Sequence, residues 1–288
     1  MILTIALVTE PNVPIDALLT GGRHVQSPLI GASVGIGLAF LLPLRGRPTW
    51  RGREFAMECL LIVGAYALYE VGRMSTQSSY APAYTNALWV LGFEDSLRLH
   101  VEADVQQFVI GHEITMHVFN LLYSVYLPVT VGVLTWLFWT DRAAYRLLRN
   151  TLGISVILAI ATIALFPVAP PRLVPDAGIF DTFAATGAPQ KFANQFAAVP
   201  SLHVGWTAAC GFAVGRCLGG RWRLPVSILP PAVMLLTVMA TGNHYWFDGL
   251  IGIAFTIGPA LLMTSAWRSR TPEDRRATTQ QRRLQDAE

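Results

Sequence analysis

Two histidines, with an arginine, a serine and an aspartate near them, set the chemistry available to this 288-residue chain. His203 lies in Pro200-Ser201-Leu202-His203 at the start of one apolar segment. His244 lies in Gly242-Asn243-His244-Tyr245-Trp246-Phe247-Asp248 at the start of a later one. Arg172 closes Phe166-Pro167-Val168-Ala169-Pro170-Pro171-Arg172, just after an earlier apolar run. On a helix beginning near Asn243, His244 and Asp248 fall on one face. A carboxylate accepting one ring N–H would fix the tautomer and leave the other nitrogen as a nucleophile. Ser201 suits the N-cap of its helix, whose first amides and dipole favour an anion. His203, in the same turn, could protonate a leaving oxygen. The Arg172 guanidinium grips phosphate as a fork and keeps its charge. Lys191, in the loop after Arg172, is a weaker second phosphate contact. Together these residues form a set able to move a phosphoryl group through a phosphohistidine. Each also has a plain structural reading: a helix cap, an interfacial imidazole, a His–Asp tie between helix ends, an arginine among lipid headgroups.

Such residues need elements to hold them, and composition says of what kind. Hydrophobic residues are 53% of the chain and charged residues 14%, against roughly 25% charged in a soluble domain. Mean hydropathy is +0.45. Several apolar runs are long enough to cross a hydrocarbon core as helices, the spanning form that satisfies its own backbone. The expected fold is therefore all-α, a polytopic membrane helical bundle. Seven spans are predicted, at 28–44, 55–71, 114–139, 152–168, 201–218, 225–241 and 247–267. Cys59, Cys210 and Cys217 fall inside them and read as small apolar packing residues.

Charge placement orients the spans. Arg45, Arg47, Arg51 and Arg53 form one cluster, Arg142, Arg146 and Arg149 a second, and Arg216, Arg221 and Arg223 a third. The tail adds Arg268, Arg270, Arg275, Arg276, Arg282 and Arg283. Threading the spans places every cluster on one face, cytoplasmic by the positive-inside rule, with the C-terminal tail. The other face receives 72–113, the loop 169–200 and the turn at Gly242-Asn243-His244, so the candidate site is non-cytoplasmic. Within 72–113, the stretch from Leu91 to Val109 is amphipathic and is expected to lie as a helix in the headgroup plane. No cleavable leader is expected at Met1-Ile2-Leu3-Thr4.

Other constellations carry less. His112-Glu113 followed by His117 misses the zinc-protease spacing by one residue. His117, Asn120 and Tyr123 are polar positions in a span that could line the pocket or bond across helices, with packing the expected role. Glu58 and Glu70 could do the same.

The ordered motifs, Arg172, then Pro200-Ser201-Leu202-His203, then His244 with Asp248, resemble the type-2 phosphatidic acid phosphatase superfamily. Phe166-Pro167-Val168-Ala169-Pro170-Pro171-Arg172 and Ala198-Val199-Pro200-Ser201-Leu202-His203 look most like its inositol phosphorylceramide synthase (inositolphosphotransferase) branch. The resemblance implies a six-helix core, here with one extra N-terminal helix and the interfacial helix. It divides the chain into 1–54 with the first span, a core at 55–267 and a polar tail at 268–288. It also implies that His244 attacks phosphorus with Asp248 behind it, that His203 protonates the leaving group, and that Arg172 and Ser201 hold phosphate. No metal is implied, and neither a cofactor nor a nucleic-acid partner is expected.

Three departures from the pattern bear on the reaction. The phosphatase motifs carry a lysine where this chain has Leu165, a proline where it has Leu173, and Ser-Arg where it has Thr237-Val238. Two cations are thereby missing, and a phosphodiester, with one negative charge, needs fewer than a phosphomonoester. The expected function is a multi-pass cell-membrane phosphotransferase. It would move a headgroup of the phosphoinositol type from a phospholipid or lipid-linked phosphate to a lipid or sugar alcohol. The alternatives are a lipid phosphate phosphatase with water as acceptor, and a non-catalytic transporter or lipid-binding protein.

Overall fold

A computed structural model describes residues 50–75, 80–185 and 195–268. The expected first span at 28–44, Lys191 and the tail beyond Arg268 lie outside the described residues. The described chain is a helical membrane bundle. It runs α1 (Trp50–Ser75), α2 (Tyr80–Ser96), α3 (Glu102–Ile110), α4 (Glu113–Thr140), α5 (Arg142–Leu165), the short α6 (Thr182–Ala185), α7 (Leu202–Leu218), α8 (Arg223–Ala240) and α9 (Trp246–Arg268). Three single 3₁₀ turns, Pro171–Leu173, Pro175–Ala177 and Gly220–Trp222, punctuate the connections. Among the described residues there are no strands, only an isolated parallel bridge between Val168 and Ala197. Four segments, Glu113–Thr140, Arg142–Leu165, Gly220–Ala240 and Trp246–Ser265, are long and apolar enough to cross a membrane.

Helix boundaries follow local chemistry. The expected span at 152–168 is the second half of a helix that starts ten residues earlier, at Arg142. Asp141 explains the difference: its Oδ1 accepts from the amides of Ala143 and Ala144, both at 3.0 Å, and caps the helix. The second arginine cluster is therefore the first two turns of α5 rather than a loop. Arg142 pairs with Glu54 of α1, Arg149 bonds Glu58 at 2.5 Å, and the Tyr145 hydroxyl reaches the same carboxylate at 2.9 Å. Glu58, an awkward residue in an apolar run, is thereby matched inside the bundle.

α7 is the central element, packing on α5, α8 and α9. Its glycines face backbone. A Cβ on Gly205 would lie 2.5 Å from the carbonyl oxygen of Gly252 in α9, and one on Gly252 would lie 2.1 Å from that of Ser201. Gly211 and Gly215 abut α8 in the same way. Small residues at membrane-helix interfaces allow this close approach. On another side, Trp206 donates from Nε1 to Ser155 of α5 at 3.1 Å. The chain order therefore brings the C-terminus of α5, the N-terminus of α7, the C-terminus of α8 and the N-terminus of α9 to one end. The arginines of α5, α7 and α8 collect at the other.

The segment expected to form one amphipathic helix differs in kind. It is two helices, α2 and α3, broken at Arg98, whose φ of 55° is left-handed. Three of its polar residues face inward, Glu94, Glu102 and Gln106, while Asp95, Arg98, Asp104 and Gln107 stay exposed. Trp89, Leu97, Leu99, Phe108 and Ile110 are exposed instead. The acids turn in because backbone donors await them, as described below. α2 is also clasped to the loop after α5. Asn86 donates to the Pro167 carbonyl at 2.8 Å, Tyr80 donates to that of Leu173 at 2.9 Å, and Tyr84 bonds Asp176.

Because Gly252 meets backbone, Gly252→Ala is expected to lower stability by roughly 3 kcal/mol, the upper end for overpacking a tight core. Gly258→Ala adds a methyl with nothing within 4 Å and serves as the control. Thermal unfolding of both variants in detergent checks the difference.

Candidate active site

His244 does not sit on a helix with Asp248, as the spacing suggests. It lies in the turn between α8 and α9, two residues before α9 begins. That turn is tightly specified. Gly242 has φ +68°, and a Cβ there would strike Ile179 at 2.7 Å, so glycine is required on both counts. The amides of Asn243 and His244 both donate to the carbonyl of Val238, at 3.0 and 3.2 Å. The imidazole is then aimed by two acceptors. Nδ1 lies 2.7 Å from the carbonyl oxygen of Ala198 and 3.4 Å from Asp248 Oδ2. A carbonyl only accepts, so Nδ1 carries the proton and Nε2 keeps its lone pair. The expected orienting carboxylate is present, but the nearer acceptor is a backbone carbonyl.

The second imidazole comes to meet the first. Ser201 caps α7 by accepting from the Val204 amide at 3.5 Å, and its own amide donates to the Asp248 carbonyl at 3.0 Å. One turn of helix then places the His203 ring 5.5 Å from the His244 ring, centroid to centroid. Tyr123 stacks on His203 at 4.0 Å and Tyr126 lies at 3.9 Å, both from α4. Tyr123, expected as a packing residue, thus lines the site.

Arg172 closes the ring. Its amide donates to the Gly242 carbonyl at 3.0 Å, and Nη1 donates to Asn243 Oδ1 at 2.6 Å, beside His244. Nε lies 3.5 Å from Asp181. Burial lowers the guanidinium pKa, while Tyr123 and Asp181 act in the opposite direction. The loop carrying Asp181 is pinned by Gln106, whose side-chain amide bonds both the N–H and the carbonyl of Phe180, at 2.7 and 2.8 Å. Asn120 and Thr182 bond each other at 2.9 and 3.2 Å. Of the residues expected to act on phosphate, His203, His244 and Asp248 adjoin one another, Arg172 reaches the same turn through Gly242 and Asn243, and Ser201 sits on the Asp248 backbone.

Positions where the motif pattern would carry cations have other uses here. Leu165 is 86% exposed, and Val238 is fully buried with Val204 and Met234. Neither brings a second charge to the pair. His117 faces outward beside Glu113, at 3.8 Å. No group of three or more His, Cys, Asp or Glu among the described residues could hold a metal ion.

Sequence reasoning missed Tyr126, Asn243, Asp181, Gln106 and, above all, Glu94 and Glu102. The available signal was the presence of buried-length acids in a largely apolar chain. Their alternation with apolar residues pointed to a solvated face instead. Glu94 is held protonated, its pKa pushed up to about 9 by burial first and by the charge of Glu102 next. Burial raises Glu102 as well, with His100 and two backbone donors opposing.

A family model described as PAP2 superfamily matches residues 88–262, well over half of the chain. No curated protein and no solved structure matches it.

A carboxyl whose folded pKa lies above its unfolded value stabilises the fold fully below the unfolded value. That stability is lost as pH rises through the folded one. Thermal stability is therefore expected to fall between about pH 5 and about pH 9.5, and Glu94→Gln should flatten the fall. Glu102, Asp248, Asp95 and His100 are the other charged or titratable groups acting on this pair. Melting curves across pH for both proteins check it.

Proposed function

The chain belongs to the PAP2 superfamily, and from that premise we propose that it transfers a phospho-alcohol headgroup between lipids through a phosphohistidine on His244. Membership makes it a membrane enzyme of the phosphatase or phosphotransferase type acting on lipid phosphate. The finer reading rests on one observation: two imidazoles 5.5 Å apart, one of them with Nδ1 tied to a carbonyl.

In the first half-reaction, the Nε2 lone pair of His244 attacks phosphorus and forms the P–N bond. The P–O bond to the lipid alcohol breaks, and His203 gives its proton to that departing oxygen. In the second, neutral His203 takes the proton of an acceptor hydroxyl as its oxygen attacks phosphorus. The P–N bond breaks and its electron pair returns to Nε2. Asp248 and the Ala198 carbonyl, facing Nδ1, stabilise the positive charge that the His244 ring acquires between the two steps. Arg172 and the capped N-terminus of α7 at Ser201 stabilise the equatorial oxygens. Lys191 would be a further contact on the same phosphate.

The class of phosphate donor is read from charge. With Leu165 directed outward and Val238 in the core, one guanidinium lies beside the imidazoles, which suits a phosphodiester better than a phosphate monoester. We place this chemistry on the non-cytoplasmic side, because the arginine clusters of α5, α7 and α8 occupy the opposite end.

Purified protein given defined phospholipids and an added polyol or lipid alcohol is expected to form the exchanged lipid. Release of inorganic phosphate alone would make it a hydrolase. His244→Ala should abolish both outcomes together with an acid-labile phosphoenzyme, and His203→Ala should slow turnover by roughly 10²–10⁴. A fully active His244→Ala protein would refute the mechanism. In the same assay Arg172→Lys should lose roughly 10²-fold in kcat, because a point charge replaces a fork.

A further inference from the structure

Three successive amides follow the His244 turn, and each ends on a different buried carboxylate. The Tyr245 N–H donates to Asp248 Oδ2 at 3.0 Å, that of Trp246 to Glu102 Oε1 at 2.8 Å, and that of Phe247 to Glu94 Oε1 at 3.3 Å. The first acceptor belongs to α9 itself. The other two arrive from α3 and α2, 144 and 153 residues away in the chain. The first amides of a helix are its natural anion site. Here side-chain carboxyl oxygens of the protein occupy it.

Such an arrangement is costly. Glu94 and Glu102 are 0% and 1% exposed, and the second oxygen of each has no hydrogen-bond partner. Two acids buried side by side repel, and a serine or asparagine would cap a helix with less penalty. What the acids gain is reach, since a glutamate on a neighbouring helix can hold α9 from outside its own chain segment. α9 bears Asp248, and the turn just before it bears His244, so fixing those amides fixes how the imidazole sits between the Ala198 carbonyl and the Asp248 carboxylate.

We propose that Glu94 and Glu102 are positioning residues for His244, acting through the Phe247 and Trp246 amides to set its orientation. This rests on the reading of His244 as the nucleophile. The α2–α3 arm, with Trp89, Leu97, Leu99 and Phe108 exposed on it, is thereby part of the active-site frame rather than a separate ledge.

The test compares Glu94→Ala, Glu102→Ala, Glu94→Gln and Glu102→Gln, using full-length protein in detergent. Two readouts are taken: headgroup-transfer kinetics, and the rate at which diethyl pyrocarbonate modifies His244, followed by mass spectrometry. Loss of the acceptor should lower kcat roughly tenfold to a hundredfold with KM nearly unchanged, as small misplacements of a reacting group do. His244 should also be modified several times faster. The Gln variants keep an amide oxygen in place and should restore both readouts to near wild type. Should the Ala proteins fail to fold, Glu94→Asp and Glu102→Asp replace them, because they keep the carboxyl group and lose the reach. Wild-type kcat and modification rate in the Ala or Asp proteins would overturn the proposal. So would Gln variants as impaired as Ala, or a rise in KM alone. If the wild-type protein turns over no lipid phosphate, the nucleophile reading fails, and the modification rates alone decide the positioning role.

Discussion

The contact between Gly205 and Gly252 governs the rest of this molecule. With no side chain on either residue, the first turns of α7 and α9 approach until the Ser201 amide bonds the Asp248 carbonyl at 3.0 Å. That single backbone bond sets two helix N-termini side by side. One carries His203 and the other follows His244, so their relative position is fixed by main chain rather than by flexible side chains. Any Cβ between them would push the two imidazoles apart, and close-packed interiors have little room to absorb such a shift.

Around that contact, polar groups in apolar surroundings are matched one to one. His244 lies between a carbonyl and a carboxylate, Gln106 bonds both backbone groups of Phe180, Asn120 pairs with Thr182, and Arg172 spans Asn243 and Asp181. Lipid offers no alternative partners, so each pairing is strongly favoured over its loss. Rigidity is the functional return. An imidazole whose tautomer and direction are set beforehand needs no reorganisation in order to react.

The charge inventory is equally restrictive. At the opposite end of the bundle Arg142 and Arg149 pair with α1, while at the imidazole end the Arg172 guanidinium contacts the turn that carries His244. Glu94, behind the same turn, is kept neutral by burial.

Much of this was legible from residue order. Apolar runs bounded by arginine clusters gave the helices and their common direction, because hydropathy and charge are local properties that lipid reads residue by residue. Spacing and residue type also pointed to Arg172, Ser201, His203, His244 and Asp248, which the fold gathers at one end of the bundle. The start of α5 at Arg142 was hidden because a cap by Asp141 outweighs the cost of arginines in a first turn. The inward face of α2 and α3 was hidden for a deeper reason. Amphipathic spacing says which residues share a face but not what that face meets. Glu94 and Glu102 point inward because amides 144 and 153 residues away need acceptors. The choice of the Ala198 carbonyl as the closest partner of His244 is of the same type. Sequence determined which chemistry is possible and which way the helices run, both consequences of local composition. Tertiary structure alone decided how the imidazole is aimed, because orientation depends on hydrogen-bond partners that chain separation conceals.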